Sequence, residues 1–199
     1  MRALELLLVA LLAPLCIPLA LGIAVAVRIV LGTPVLFRQE RIGLGERTFL
    51  LYKFRTMHTW VGEDGELLPD GERRSRFGSW LRRTSLDELP QLWNVLRGDL
   101  ALVGPRPLLV RYLPWYTPEE RLRHSVRPGI TGWAQINGRN LLSWDHRLAL
   151  DVFYVRRKSL GFDLRILALT AGAVFRKKGY VENVHDVMQD LDVERQARV

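Results

Sequence analysis

Between Leu6 and Val27 the chain has no charged side chain, and this limits the fold more strongly than any other feature. At roughly 1.5 Å per residue, a helix of that length matches about 30 Å of hydrocarbon. A cleaved signal peptide fits poorly, because the basic stretch before the run is Arg2 alone, followed by Glu5. A straight span must accommodate Pro14 and Pro18, four residues apart. Each removes a helix hydrogen bond and crowds the carbonyl four residues earlier, so a kink or break is expected. The third reading is a bent segment that enters and leaves by the same membrane face. Arg2 and Glu5 precede the run and Arg28 and Arg38 follow it, so flanking charge does not separate the last two readings.

At 199 residues, one further domain can follow this segment. Its charge is lopsided: 29 Lys and Arg against 21 Asp and Glu, a net +8, which predicts an anionic partner. Nucleic acid, an acidic membrane surface and phosphorylated small molecules all qualify. The single cysteine, Cys16, lies inside the apolar run, which excludes an intrachain disulfide and fits a domain facing the cytoplasm.

After Gly32-Thr33-Pro34, Val35–Phe37 reads as a short strand and Arg38–Glu46 as a charged surface turn. Phe49–Met57 alternates as a strand, which puts Lys53 and Arg55 on one face. An acidic, glycine-rich surface loop (61–72) follows, then a basic helix over Arg73–Leu81. Tyr112, Trp115 and Tyr116 suit a membrane–water boundary or a core equally well. A short helix is expected at Glu119–Arg123, with Thr117 as N-cap and Pro118 first. Two further helices are expected over Leu148–Tyr154 and Asp163–Lys178; the second, with a basic end, suits a core or an anionic bilayer.

The stretch from Arg82 to Pro107, RRTSLDELPQLWNVLRGDLALVGPRP, carries the chemistry. It sets adjacent carboxylates, Asp87 and Glu88, among Arg82, Arg83, Arg97 and Arg106. Pro90 is tolerated only in the first helical turn, so the helix should begin near Asp87, leaving that residue at or near the N-cap. Such an end also attracts phosphate. Ser85-Leu86-Asp87-Glu88 is equally a capping box, which only starts helices. Further on, RPGITGW and QINGRN are loops rich in glycine and polar donors. There is no GxxxxGK[ST], HExxH, CxxC or GxSxG pattern, and His58, His124, His146 and His185 are scattered.

The block SLDELPQLWNVLRGDLALVGPRPLL, preceded by YKFRTM and followed by RPGITGWAQINGRN, resembles the bacterial sugar transferase family. These are small monotopic phosphoglycosyl transferases, and the likeness is closest to the short bacillosamine-type members, from the apolar run to about Val155. The resemblance implies a mixed α/β fold that is mostly α. It would have a re-entrant membrane helix broken at Pro18 over residues 1–36 and a helical catalytic domain over 37–180. That domain would include a minor strand component and interfacial amphipathic helices, and a polar, weakly ordered tail would fill 181–199. Family members often have serine before the proline of the break, where this chain has Ile17.

The activity implied is transfer of a sugar-1-phosphate from a UDP-sugar, N-acetylated or diacetamido, to undecaprenyl phosphate. It would occur on the cytoplasmic face of the bacterial inner membrane. Asp87 would be the nucleophile and Mg²⁺ ligand, and Glu88 its assistant. Lys53, Arg55, Arg82, Arg106, Arg127 and Arg139 would contact phosphate or nucleotide. Membrane lipids are expected partners and nucleic acid is not. The nearest alternative is a membrane-anchored nucleotide-sugar diphosphate hydrolase, with water in place of the lipid. A tethered basic module binding nucleic acid or anionic lipid explains the charge but not the paired acids.

Overall fold

The computed structural model describes residues 2–138, 142–176 and 189–198. Helix α1, Arg2–Val30, continues through Pro14 and Pro18. The expected break at Pro18 is therefore not formed. Pro18 withdraws the donor that would face the Pro14 carbonyl, and Pro14 the one that would face Ala10. Both losses fall on one stripe, which a helix can absorb by curving without leaving helical dihedrals.

Both ends of α1 are docked and its middle is not. Val9 packs with Leu51, Val95 and Leu100, while Ile23, Val27 and Leu31 pack with Phe54 and Leu81. Arg2 donates to the Val95 and Leu96 carbonyls. At the other end Arg55 donates to the carbonyls of Leu31 and Thr33. Between these anchors Leu11, Leu15, Ile17 and Leu21 are each more than half exposed. Each forgoes roughly 1.5–3 kcal/mol of burial if its surroundings are water. Among the described residues, α1 alone is long and apolar enough to cross a membrane.

Strands β1 (Leu36–Ile42) and β2 (Thr48–Phe54) form an antiparallel hairpin, in register from Leu36 opposite Phe54 to Ile42 opposite Thr48. The first strand is longer than expected, and the turn shrinks to the residues around Gly45. Ile42 explains it: buried against Leu108 and Tyr112, it anchors the far end of the strand, while Arg38 and Glu40, earlier on the same face, stay at the surface. Helices α2 (Asp70–Arg73) and α3 (Arg76–Thr84) follow. Ser75 caps α3 by accepting the Gly78 N–H, so the helix starts three residues later than expected. A 3₁₀ turn at Leu86–Glu88 leads into α4 (Gln91–Arg97). Next come β3 (Ala101–Val103) and 3₁₀ segments at Val110–Trp115 and Glu120–Ser125. Strand β4 (Gly129–Thr131) pairs parallel to β3. Helices α5 (Trp133–Ile136), α6 (Trp144–Arg157), α7 (Leu160–Arg176) and α8 (Leu191–Gln196) complete the chain.

Thr117 caps the segment after it as its sequence predicts: its Oγ1 accepts the Glu120 N–H, and Glu120 accepts the Thr117 N–H at 2.7 Å. Tyr112 and Tyr116 are core residues, which removes them from the membrane boundary. The expectation of a loose tail also fails for its described part. Leu191 is fully buried among Ile42, Leu108, Trp144 and Leu148. Asp190 accepts from the Tyr112 hydroxyl at 2.6 Å, and Arg195 pairs with Glu120 and Asp145. One leucine with charged neighbours on both sides docks a segment whose composition alone reads as solvated.

His124 is buried edge-on to Tyr116 beside Arg123 and Arg121. Burial, reinforced by those two cations, pushes its imidazole down to about 3. The unfolded chain then binds one more proton than the fold between that value and the ordinary 6.5, so stability is full above 6.5 and is lost on acidification. Thermal unfolding at pH 7.5 and 5 should differ by up to about 2 kcal/mol from this group. His124→Gln should reduce that difference; an unchanged pH dependence would show that His124 is not its source.

Candidate functional site

Helix α3 ends at Ser85, whose left-handed backbone (φ 57°, ψ 18°) turns the chain sharply. The 3₁₀ turn starts at once and continues through helical Leu89 and Pro90 into α4. Pro90 sits in an opening turn, where its missing N–H costs little. Asp87 is inside the 3₁₀ turn and not at an N-cap. So short a turn aligns few peptide dipoles, and side chains must supply the charge for any anion held here. No capping box forms either. The Ser85 side chain makes no cap bond, and the Glu88 carboxylate turns away to two cations.

Those cations come from distant parts of the chain. Lys53 on β2 places Nζ 2.6 Å from Glu88 Oε1 and 3.9 Å from Asp87 Oδ2. Arg106 places Nη2 2.9 Å from the same Glu88 oxygen. Arg82 is fixed by its Nε bond to Thr56 Oγ1 at 2.8 Å. All five line one open cleft of about 1500 Å³, which also reaches Leu12 and Cys16 of α1. The two carboxylates differ in kind. Burial pushes Asp87 above its ordinary value, and Lys53 only partly offsets it. Burial would also raise Glu88, but Lys53 and Arg106 overcome this and hold it well below the usual carboxylate range. Neighbouring acids pushed apart in this way are suited to different tasks. Glu88 stays ionised and bound, whereas Asp87 is a desolvated carboxylate accepting no hydrogen bond from the described residues.

The remaining candidates are distributed differently. Arg55 lines the cleft but is buried, with its Nη groups donating to the carbonyls after α1 and to Thr59 Oγ1 at 3.4 Å. That makes it a fastener for the helix, because a buried guanidinium satisfies nearby carbonyls before it can serve a ligand. Arg127 does not line the cleft; it lies 3.8 Å from Glu5 of α1. Arg83 and Arg97 lie outside it as well, and Arg97 faces Asp99 at 3.3 Å. Arg139 lies outside the described residues.

Arg106 stands on the Gly104-Pro105-Arg106-Pro107 loop, which is pressed against the 127–132 loop. Gly104 N–H donates to Thr131 O and Gly129 N–H to Pro105 O, both at 2.9 Å. A Cβ on Gly129 would lie 2.1 Å from the Gly104 nitrogen, and one on Gly132 would lie 2.2 Å from the Gly104 oxygen. These glycines therefore admit backbone to backbone.

Sequence reasoning missed Arg41, Arg123, Arg147 and Asp151, which line the same cleft. Arg123 and Asp151 stand 28 residues apart, so no local spacing joins them. Among the described residues no group of three or more His, Cys, Asp or Glu could cage a metal. Mg²⁺ does not need one, since one or two carboxylates with phosphate oxygens and water suffice. The open oxygens of Asp87 beside Glu88 fit that mode.

Residues 1–177 match the family model described as bacterial sugar transferase. The chain is 54% identical over 159 residues to a sugar transferase of Bacillus subtilis, EpsL, covering 80% of this chain and 79% of that one. It is 45% identical over 177 residues to a UDP-glucose:undecaprenyl-phosphate glucose-1-phosphate transferase of Xanthomonas campestris, covering 81% of this chain and 36% of the relative. It is also 38% identical over 181 residues to a UDP-N-acetylgalactosamine-undecaprenyl-phosphate N-acetylgalactosaminephosphotransferase of Aeromonas hydrophila, covering 85% and 42%. The chain thus spans well under half the length of the last two.

Proposed function

The chain belongs to the bacterial sugar transferase family, and on that premise we propose that it transfers a sugar-1-phosphate from a UDP-sugar to undecaprenyl phosphate. The observation that carries this reading is the Asp87–Glu88 pair, with one carboxylate bound through Oε1 by both Lys53 and Arg106 and the other facing the cleft without a hydrogen bond from the described residues. An Asp87 oxygen attacks the β-phosphorus of the donor. The bond from that phosphorus to the bridging oxygen breaks, and the electron pair leaves with UMP. An oxygen of the lipid phosphate then attacks the aspartyl-phosphosugar, expelling the carboxylate and giving the polyprenyl diphosphate-sugar. Asp87 would hold a divalent cation, which would supply charge neutralisation at the diphosphate. Lys53, Arg82 and Arg106 add positive charge around the same phosphorus, which an anionic nucleophile otherwise cannot approach.

The donor is a UDP-hexose, N-acetylated or diacetamido by the bacillosamine-type resemblance; the named relatives take glucose and N-acetylgalactosamine. A panel of UDP-glucose, UDP-N-acetylhexosamines and a diacetamido donor, with undecaprenyl phosphate and Mg²⁺ in nanodiscs, tests both the reaction and the sugar. UMP with radiolabel in the lipid phase is expected from one donor class. UMP with free sugar phosphate would mean hydrolysis, and no UMP from any donor would sink the transferase reading.

Docking of both ends of α1 on one domain, with the helix unbroken past Pro18, supports a monotopic anchor on the cytoplasmic face, where nucleotide sugars are found. Its exposed middle would enter the bilayer, and exposed Trp80, Trp93 and Leu96 on α3 and α4 suit interfacial helices. In inverted membrane vesicles, tags at the N-terminus and in the 61–68 loop should both be open to protease. A protected N-terminal tag would show that α1 spans.

A further inference from the structure

The loop bearing Arg106 is gripped from behind by a buried ion pair. Arg123 on the Glu120–Ser125 turn and Asp151 on α6 have side chains 2% and 3% exposed. Arg123 donates Nε and Nη2 to Asp151 Oδ2 at 3.1 and 2.8 Å. The same Nη2 donates to the Arg106 carbonyl at 2.7 Å. The guanidinium carbon lies 5.7 Å from the centre of the Tyr116 ring. Taking both charges out of water is costly, and an apolar pair of equal volume often stabilises a fold as well or better. A buried pair is therefore weak evidence for stability, and its geometry needs another account.

The Arg106 loop supplies that account. Pro105 and Pro107 have no N–H, so flanking carbonyls are the main backbone handles. Pro105 O is taken by the Gly129 N–H, Arg106 O by Arg123, and Pro107 O faces Arg41 Nη1 at 3.5 Å. Arg106 itself has a side chain 45% exposed, and its contact with Glu88 depends on where the backbone sets it down.

We propose that Arg123 and Asp151 are positioning residues that fix the Arg106 backbone, so that its guanidinium meets Glu88 and the donor diphosphate. The proposal rests on the phosphoglycosyl transfer above. Arg123 spends its fork on two acceptors at set angles, which lysine cannot reproduce although it keeps the charge.

A double-mutant cycle in nanodiscs, read as kcat/KM for UMP release and as Kd for UDP, tests this. Arg123→Lys should lower kcat/KM and weaken UDP binding by about tenfold, within the range for residues coupled in one network. In an Arg106→Gln background the same change should cost less than about twofold. Equal losses in both backgrounds would overturn the proposal, since Arg123 would then act on the substrate directly or on the fold at large. Undiminished activity of Arg123→Lys would overturn it too. Asp151→Asn should give the same coupling; if it does not fold, the lysine variant alone decides. Hydrogen exchange separates this idea from the reaction assigned above. Faster exchange at the Gly104 and Arg106 amides in Arg123→Lys supports the clamp even if wild type releases no UMP, and unchanged exchange counts against it.

Discussion

Asp87→Asn should abolish UMP release and lipid labelling together, by at least about 10³-fold, as expected when a covalent nucleophile is removed. Asparagine has the same shape and leaves the 3₁₀ turn, the Lys53–Glu88 pair and the Arg106–Glu88 pair in place. Stability should move the other way. Burial disfavours the charged form of Asp87, so a neutral isostere relieves that cost, and the melting temperature should hold or rise. Glu88→Gln provides the contrast. It withdraws the anion that Lys53 and Arg106 share and leaves two cations facing each other, so its melting temperature should fall along with its activity. If Asp87→Asn retains turnover within a few fold of wild type, the carboxylate is not the nucleophile. If both variants lose stability alike, the division of the pair into an open acid and an engaged one is wrong.

The readable parts of this site were the local ones. Asp87, Glu88 and Arg106 fall within one short block, and Lys53 declared its face through strand alternation. Arg82 was legible too, because helix α3 carries it into the cleft that holds the pair. What the sequence hid was the use made of each cation. Arg55 carries the same charge and alternation as Lys53, but it sits where α1 ends, and unsatisfied carbonyls there claim it. Arg127 has a loop setting suited to a ligand, yet Glu5, on the first turns of α1, lies within ion-pair distance. Arg123 and Asp151 carry no local signature, because their meeting depends on α6 packing under the 120–125 turn. The membrane helix shows a related limit: proline predicts lost hydrogen bonds but not whether curvature or rupture absorbs them.

Gly129→Ala should damage the protein severely, through the backbone alone. The added Cβ would lie 2.1 Å from the Gly104 nitrogen and 2.6 Å from both the Thr131 oxygen and the Val103 carbonyl carbon. All three are main-chain atoms, so no side chain can swing aside. The only relief is to separate β3 from β4, where Ala101 pairs with Gly129. Overpacking of this kind costs about 2–3 kcal/mol or more, which for a chain of this size lowers the melting temperature by roughly 5–10 °C. The same movement displaces the 104–107 loop, and with it the Arg106 guanidinium that faces Glu88. A shift near 1 Å in such a group costs about 10²-fold in rate, so activity should fall further than stability accounts for. Gly172→Ala is the matched control. A Cβ there meets nothing within 4 Å, and alanine favours the α7 helix by up to about 1 kcal/mol. Loss at position 129 with none at 172 would tie activity to the close approach of the two loops. Full activity in Gly129→Ala would mean that the Arg106 loop tolerates displacement, and that Lys53 and Arg82 suffice to hold the donor.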